Sequence, residues 1–590
     1  MHSLLDTLSG IVGQAFRAQD LPEDLGLVKV SDRPDLAQFQ CNGAMAGGKQ
    51  LQKAPRDVAL RIVAFLETLS DSPFAKIEIA GPGFINLTLT PEFLSRNLED
   101  IFLRETLTGG LISQNNETVV LDYGGPNIAK AMHVGHLRSA VIGDSLRRLL
   151  SSAGYRTVGD VHMGDWGTHM GMLIGDYVDR QEEDVVRSAD LSVPGDITRL
   201  MEDMAVRYPK ASMAAKNDPA CMKRAQDVTV CLQEKQNPYY ELWQMIRAVS
   251  IIGLKKNYEA LGITFDLWEG ESSVHDCIAP MVARLEQQGH AVKDQGAVIV
   301  PVAQEGDKKE IPPLILYKSD GAVMYGTTDL ATIGQRIELY HPSKIIYVVD
   351  QRQSLHFEQV FRAARQGGMA PAALELTHAG FGTVNGVDGK PFKTRDGGVM
   401  RLEDLLAMGL EKAVKRLEEA KLAQNLSLAD RADIAHRIAI SAIKFADLQN
   451  NRSSDYVFDL DRMTNFEGKT GPYLLYQAVR ITSLLQKAQA AHGAYCERPF
   501  VLTAEDTPLA LLLAEFPEHY RLAIEHYTPH VLCDYVFKLA QTFSSFYGTC
   551  HILSESRADL RHSRLKLCHL VHRHMVLILD LLGIAVPARM

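Results

Sequence analysis

Two histidines three residues apart, His133 and His136 in "AMHVGHLRSAVIGD", are the pair whose type and spacing point most directly to chemistry. The preceding "TVVLDYGG" is a short apolar run of the kind that forms a buried strand. After them Leu137, Val141, Leu146 and Leu150 recur at helical spacing. The spacing predicts both imidazoles on one face of a first helical turn. The free N–H groups and dipole of such an N-terminus attract phosphate. Two imidazole donors there can stabilise charge on an α-phosphate as pyrophosphate departs, each contributing about 10²–10³ in rate. Gly135 between them leaves room for a nucleotide base near the backbone. HxGH is short enough to arise by chance, so its weight comes from position, after a strand ending in Asp122 and at the start of a long helix.

The elements that must hold this pair are legible. "YRTVGDV" reads as the next strand, and strand, helix, strand with short turns is the grammar of a parallel doubly wound sheet. It returns at "KIIYVVD" (344–350), in a helix from near Leu355, and at "LTHAGFG" (376–382). Residues 175–310 read as a charged, mostly helical insertion at the crossover. Residues 1–115 read as an α+β unit, with an amphipathic helix (Leu4, Leu8, Val12, Phe16) and then "IEIAGPGFINLTL" as strands around a Gly-Pro-Gly turn. From about residue 405 the chain reads as helical. The expected fold is α/β: a Rossmann-like (HUP-type) parallel-sheet domain over 116–405, between an α+β N-terminal domain (1–115) and an all-α C-terminal domain (406–590).

Composition bounds the function. A chain of 590 residues exceeds one compact core and implies three or four domains. Hydrophobic residues at 46% and charged residues at 23% are ordinary for globular proteins. The longest apolar run, Met575 to Val586, is broken by Asp580 and is too short to span a bilayer. With no signal-peptide pattern, the expectation is a cytoplasmic protein without membrane attachment. None of the eight cysteines forms a CxxC pair, which argues against a zinc knuckle and for buried, reduced thiols. The net charge of −10 argues against blanket nucleic-acid binding. A local basic surface is still open to residues 560–590, which hold five Lys or Arg against one acid, with His562, His569, His572 and His574 among them. A solvated basic helix face accounts for the same charges.

HxGH is the signature of class I aminoacyl-tRNA synthetases and related nucleotidyl transferases, and further segments narrow the resemblance. "LDYGGPNIAKAMHVGHLRSAVIGD", "HMGDWGTHMGMLI", "YGTTDLA", "YVVDQRQSLHFEQVF", "GKPFKTRDGGVMRLEDLL" and "FADLQNNRSSDYVFDLDRMTNFEGKTGPYLLYQ" follow in order, and the chain closes on "SRLKLCHLVHRHMVLILDLLGIAVPARM". Together they resemble the arginyl-tRNA synthetases of bacterial type from residue 118 to the end. "GPGFINLTL" resembles that family's additional N-terminal domain, and the C-terminal helices resemble its DALR anticodon-binding fold. The resemblance implies ATP-dependent activation of L-arginine to an adenylate and transfer to the 3′ end of tRNA(Arg). It also implies that tRNA must be bound for efficient activation, that Mg2+ arrives with ATP, and that the chain is a monomer with no tightly bound cofactor and no resident metal.

Residue by residue, the resemblance assigns the catalytic groups to His133, His136 and the loop lysine Lys393, which stands where other class I members carry KMSKS. The flanking glycines allow that loop to move. Lys130 is a second candidate for the pyrophosphate, with a surface charge as its plain alternative. A guanidinium is a planar fork of donors, so its pocket must supply carboxylates and neutral acceptors. Asp122 ends a strand at the carboxyl edge where α/β sheets bind ligands, and Tyr325 and Asp329 lie one helical turn apart. The family places the guanidinium on these three, and the α-amino and carboxylate groups on Asn127 and Gln353. Each also has a structural reading: Asp122 as a cap, Tyr325 as core, Asp329 as a helix-start acid. Asp165, in "HMGDWG", is expected beside the nucleotide, with Trp166 equally suited to packing. Gly380, Phe381 and Gly382 offer adenine a backbone edge. Tyr547 and the chain end at Met590 are candidate tRNA contacts. Gly124, Gly125, Val161 and His169 depart from the usual family residues.

Overall fold

The computed structural model describes residues 3–33, 35–108, 116–319, 321–386, 389, 400–493 and 498–590. The chain forms two compact units, one of Met1–Ser113, Tyr473–Asp580 and Val586–Met590, the other of Gln114–Pro472 and Leu581–Ala585.

In the second unit the sheet is a four-stranded, all-parallel layer. We label its strands β1 (Thr118–Tyr123), β2 (Arg156–Asp160), β3 (Lys344–Val348) and β4 (Glu375–His378); their spatial order is β4-β3-β1-β2. β1 and β3 are buried along nearly their whole length, as expected of strands covered on both faces. Helix α1 (Val134–Ser152) connects β1 to β2, α2 (Tyr325–Tyr340) precedes β3, and α3 (Ser354–Gln366) connects β3 to β4. The strand order reverses between β1 and β3, so the crevice for a ligand opens where Tyr123 and Val348 stand side by side. α1 lies close on β1 because Gly143 faces the Tyr123 ring; a Cβ there would stand 2.2 Å from it.

Residues 183–287 are mostly helical, as expected of the insertion, but Val292–Asp294, Ala297–Val300 and Leu314–Tyr317 form a three-stranded antiparallel sheet. The first two strands turn at Gln295 and Gly296, with φ of +48° and +85°, the conformation of a tight hairpin. The helix Leu428–Leu448 closes the unit, where Lys444 donates to the Gly583 carbonyl at 2.8 Å.

The first unit has an antiparallel sheet of Val28–Val30, Phe39–Cys41, Phe84–Leu89 and Phe74–Ala80, in that order, with the last two joined across Gly81 and Gly83. Its first helix, Leu4–Arg17, is capped reciprocally by Ser3 and Asp6. The remainder is helical, including His530–Thr549 and Ala558–Leu581. The basic end is not a free basic surface. Lys566 is buried on Glu99 at 2.7 Å, Arg564 is bound to Asp506 and Glu555, and Arg573 donates to the Phe102 and Arg104 carbonyls. These cations satisfy buried oxygens within the unit. His574 is buried there too.

The thiol expectation holds for four of the seven described cysteines, Cys41, Cys533, Cys550 and Cys568. Cys231 is half-buried, and Cys221 and Cys277 lie on solvent faces of their helices. No described helix is long and apolar enough to cross a membrane.

Candidate active site

A cavity of about 690 Å³ opens at the carboxyl ends of β1 and β3, within the range that small-molecule sites occupy. Its lining brings together Asp122, His133, Gly135, His136, Tyr325, Asp329, Gln353, Phe381 and Gly382 from distant parts of the chain.

His133 is the N-cap of α1, its ring Nδ1 accepting from the Gly135 N–H at 3.1 Å, while the His136 Nδ1 accepts from the His133 N–H at 3.1 Å. Each Nδ1 accepts, so each ring proton resides on Nε2. The ring centroids are 3.9 Å apart. Burial, then the charge of His133, lowers the His136 pKa to about 3; burial and Lys130 lower that of His133. At neutral pH the pair therefore offers two neutral Nε2–H donors. The reason for Gly135 differs from the sequence expectation. The space its Cβ would fill is taken by the His133 ring, 2.8 Å away, so the glycine lets that ring fold back over the turn.

Opposite, Tyr325 opens α2 and is 65% exposed, and Asp329 follows one turn later. The His356 Nε2 lies 2.5 Å from the Asp329 carboxylate and fixes its orientation. Asp122 is nearly buried and is already held by a guanidinium, that of Arg336. The Arg336 Nη2 donates to Asp122 at 2.7 Å and to Asp160 at 2.6 Å, and Arg336 is 2% exposed. The Asp122 Oδ2 is thus occupied, and its Oδ1 has no protein partner among the described residues. Burial raises the Asp122 pKa against the pull of Arg336. Burial also works on Asp160, but His162 and Arg336 prevail and hold it well below the usual range. Burial alone would lower His162; Asp160 and Asp122 instead raise it to about 9. Asp122, Asp160 and His162 have the proximity of a metal site. The Arg336 cation already bridges the two carboxylates, so the cluster does not fit a divalent ion.

Four expected site residues do not line this cavity. Asp165 is fully buried, its carboxylate bound by Arg247 at 2.9 Å and by Ser272 at 2.9 and 2.7 Å, so it braces the loop rather than facing a nucleotide. Asn127 pairs instead with Gly164, whose missing Cβ makes room for the Asn127 amide. Gly380 lies behind Phe381, and its carbonyl accepts from Arg452. Lys130 does not line the cavity; its ammonium stands 4.6 Å from the centre of the Tyr208 ring, where its charge still acts on His133 and His136. Lys393 lies outside the described residues. In the other unit Tyr547 is half-buried with Arg480 over its ring at 4.5 Å, and Met590 is half-buried.

The fold agrees with comparisons to known proteins. Residues 97–460 match the family described as tRNA synthetases class I (R), catalytic domain. Residues 2–89 match the arginyl tRNA synthetase N terminal domain, and 474–590 the DALR anticodon binding domain. Arginine–tRNA ligases of Hyphomonas neptunium and Maricaulis maris are 46% and 44% identical to this chain over the full length of both partners. The chain belongs to the arginyl-tRNA synthetases. Its fold is theirs: the crystal structure of the Plasmodium falciparum arginyl-tRNA synthetase superposes with a TM-score of 0.83 at 25% identity, each chain fully covered. The Thermus thermophilus enzyme has the same fold, at 0.79 and 22%.

Three residues of this synthetase fold were not anticipated: Arg336, His356 and Glu271. Arg336 lies seven residues beyond Asp329 on the same stripe of α2, and a lone arginine on an otherwise buried helix face was the available signal. His356 follows Gln353 by three residues, within "QSLHF". Glu271 lies beside Trp166 and Tyr325, where burial and then the Asp165 charge raise its pKa to about 7.

Proposed function

We propose that the cavity at the ends of β1 and β3 is where L-arginine and ATP meet, with Tyr325, Asp329 and the open oxygen of Asp122 receiving the guanidinium. The activity is that of an arginine–tRNA ligase: arginine is activated with ATP and passed to tRNA. The observation that carries the residue assignment is the cavity itself, which has paired Nε2–H donors on one wall and a carboxylate–tyrosine pair on the other. A cationic fork needs that carboxylate pair, and a phosphorus centre gaining negative charge needs those donors.

In this reading the arginine carboxylate attacks the α-phosphorus in line, pyrophosphate leaves, and the terminal ribose hydroxyl of tRNA takes the arginyl group. The protein positions the reactants and stabilises charge rather than forming a covalent intermediate. Mg2+ enters as part of the ATP complex, held mostly by phosphate and water. Gln353 and Asn127 are assigned to the amino-acid head group, Phe381 and Gly382 to adenine, and Lys393 to the pyrophosphate. The N-terminal (1–115) and C-terminal helical (406–590) domains are assigned to tRNA, and the protein is a cytoplasmic monomer that activates arginine once tRNA is bound.

Asp329→Ala tests the assignment. Removing one partner of a desolvated charge pair costs about 2–5 kcal/mol, so kcat/KM for arginine should fall by about 10²–10³ while ATP binding is retained. An unchanged KM for arginine rules the pocket out.

A further inference from the structure

A second cavity, of about 390 Å³, lies behind the turn that carries His133 and shares no lining residue with the first. It is walled by helices Pro194–Asn217 and Tyr239–Ala260, by residues 128–132, and by Arg401 and Glu403. Ile128, Met132, Met201, Met204 and Leu254 make it largely apolar, and methionines adapt their shape to flat guests.

One polar group is out of place in such walls. Asn257 is 6% exposed and lines the cavity, yet its amide has no hydrogen-bond partner among the described residues. The amide opens into the cavity and is not sealed in the packing, so a guest there can pair with it. An amide sets an acceptor beside a donor, which matches the N–H and C=O edge of a lactam. At the rim stand Lys130, Lys256 and Arg401 against Glu202 and Glu403, none of them in an ion pair with another described residue. Three basic side chains against two acidic ones favour an acid.

The same walls bear on catalysis. The Leu402 N–H donates to the Met132 carbonyl at 3.0 Å and the Val134 N–H to the Met400 carbonyl at 3.1 Å, so the 400–402 segment clamps the turn that holds His133. Met132 and Arg401, which flank these two bonds, both line the cavity, so a guest there touches the clamp directly.

We propose that this cavity binds a flat aromatic acid with a lactam edge, read by Asn257 and the basic rim, and that its occupation slows adenylate formation by displacing His133. The second half rests on the role assigned to His133 above; the first does not.

The probe is 2-quinolone-4-carboxylate, a bicyclic lactam bearing one carboxylate, titrated calorimetrically into the full-length protein. One molecule should bind, with the same affinity in the presence of saturating ATP and L-arginine. Asn257→Leu should weaken binding at least tenfold. Thr198→Trp, at an exposed rim position, should abolish it by filling the cavity, and decides the matter if the Asn257 variant does not fold. In arginine-dependent pyrophosphate exchange with tRNA present, the probe should lower kcat and leave the arginine KM unchanged. No binding, binding displaced by ATP and arginine, or equal binding to every folded variant overturns the site. Binding as described with an unchanged exchange rate overturns the link to His133. If the protein shows no exchange even with tRNA present, the catalytic reading fails while the binding result stands.

Discussion

Replacing Arg336 by methionine removes the guanidinium that bridges two buried carboxylates and leaves the His162 imidazolium beside them. Its Nη2 bonds to Asp122 and Asp160 at 2.7 and 2.6 Å, and the ligating atoms of Asp122, Asp160 and His162 all lie within 4.8 Å of one another. At an effective dielectric constant of about 20, two unit charges at that separation repel by about 3–4 kcal/mol. Breaking a buried pair by removing one partner costs about 3–5 kcal/mol, in agreement. All three tryptophans, Trp166, Trp243 and Trp268, belong to the Gln114–Pro472 unit, so selectively excited tryptophan fluorescence reports the unfolding of that unit. With a urea m-value of about 3 kcal/mol/M, Arg336→Met should lower the midpoint by about 1 M or more. The pH dependence has a definite sign. In the wild-type protein the depressed pKa of Asp160 contributes stability above its unfolded value, and that contribution is lost as pH falls through the folded one. In the variant both carboxyls are buried without their guanidinium, with His162 alone to offset them, and their pKa values rise, so their cost grows with pH. The gap between the two proteins should be wider at pH 8 than at pH 5. Equal midpoints, or a gap that widens on acidification, would refute the reasoning.

Three further outcomes are expected. His136 is already neutral well above its pKa of about 3, so arginine-dependent pyrophosphate exchange should show no inflection near pH 6.5 that His136→Gln removes; such an inflection would assign the imidazolium form to catalysis. Glu271 has its pKa raised to about 7, so the folded state favours its protonated form, and stability is lost as pH rises from the unfolded value near 4.5 toward 7. Glu271→Gln should raise the fluorescence-detected urea midpoint at pH 8 by about 1–3 kcal/mol equivalent and have little effect at pH 4.5. Gly143→Ala places a methyl against the Tyr123 ring and should cost about 1–3 kcal/mol by overpacking. A midpoint equal to wild type would mean that α1 shifts freely on β1.

The sequence carried the local geometry well and the long-range pairing poorly. The strand before HxGH, the turn of α1 and the one-turn spacing of Tyr325 and Asp329 follow from periodicities of a few residues, and all three stand as read. The Arg336 bridge joins residues 214 and 176 positions apart, which no local pattern encodes. Asp165 shows the same limit, since its loop position suggested a ligand until Arg247, from 82 residues away, was seen to claim its carboxylate. The basic chain end was ambiguous for a related reason. Whether Lys566 faces solvent or Glu99 depends on packing between segments 467 residues apart. The hairpin at Gln295 and Gly296 was nearer to hand, because Asp-Gln-Gly between two short β-branched runs is turn chemistry that the surrounding helices overshadowed.

The most direct test of the central claim is charging of total tRNA with labelled L-arginine, alongside ATP–pyrophosphate exchange with and without tRNA. The account predicts charging with arginine and with no other amino acid, and exchange that needs tRNA. Charging with a different amino acid, or none despite tight tRNA binding, would contradict it.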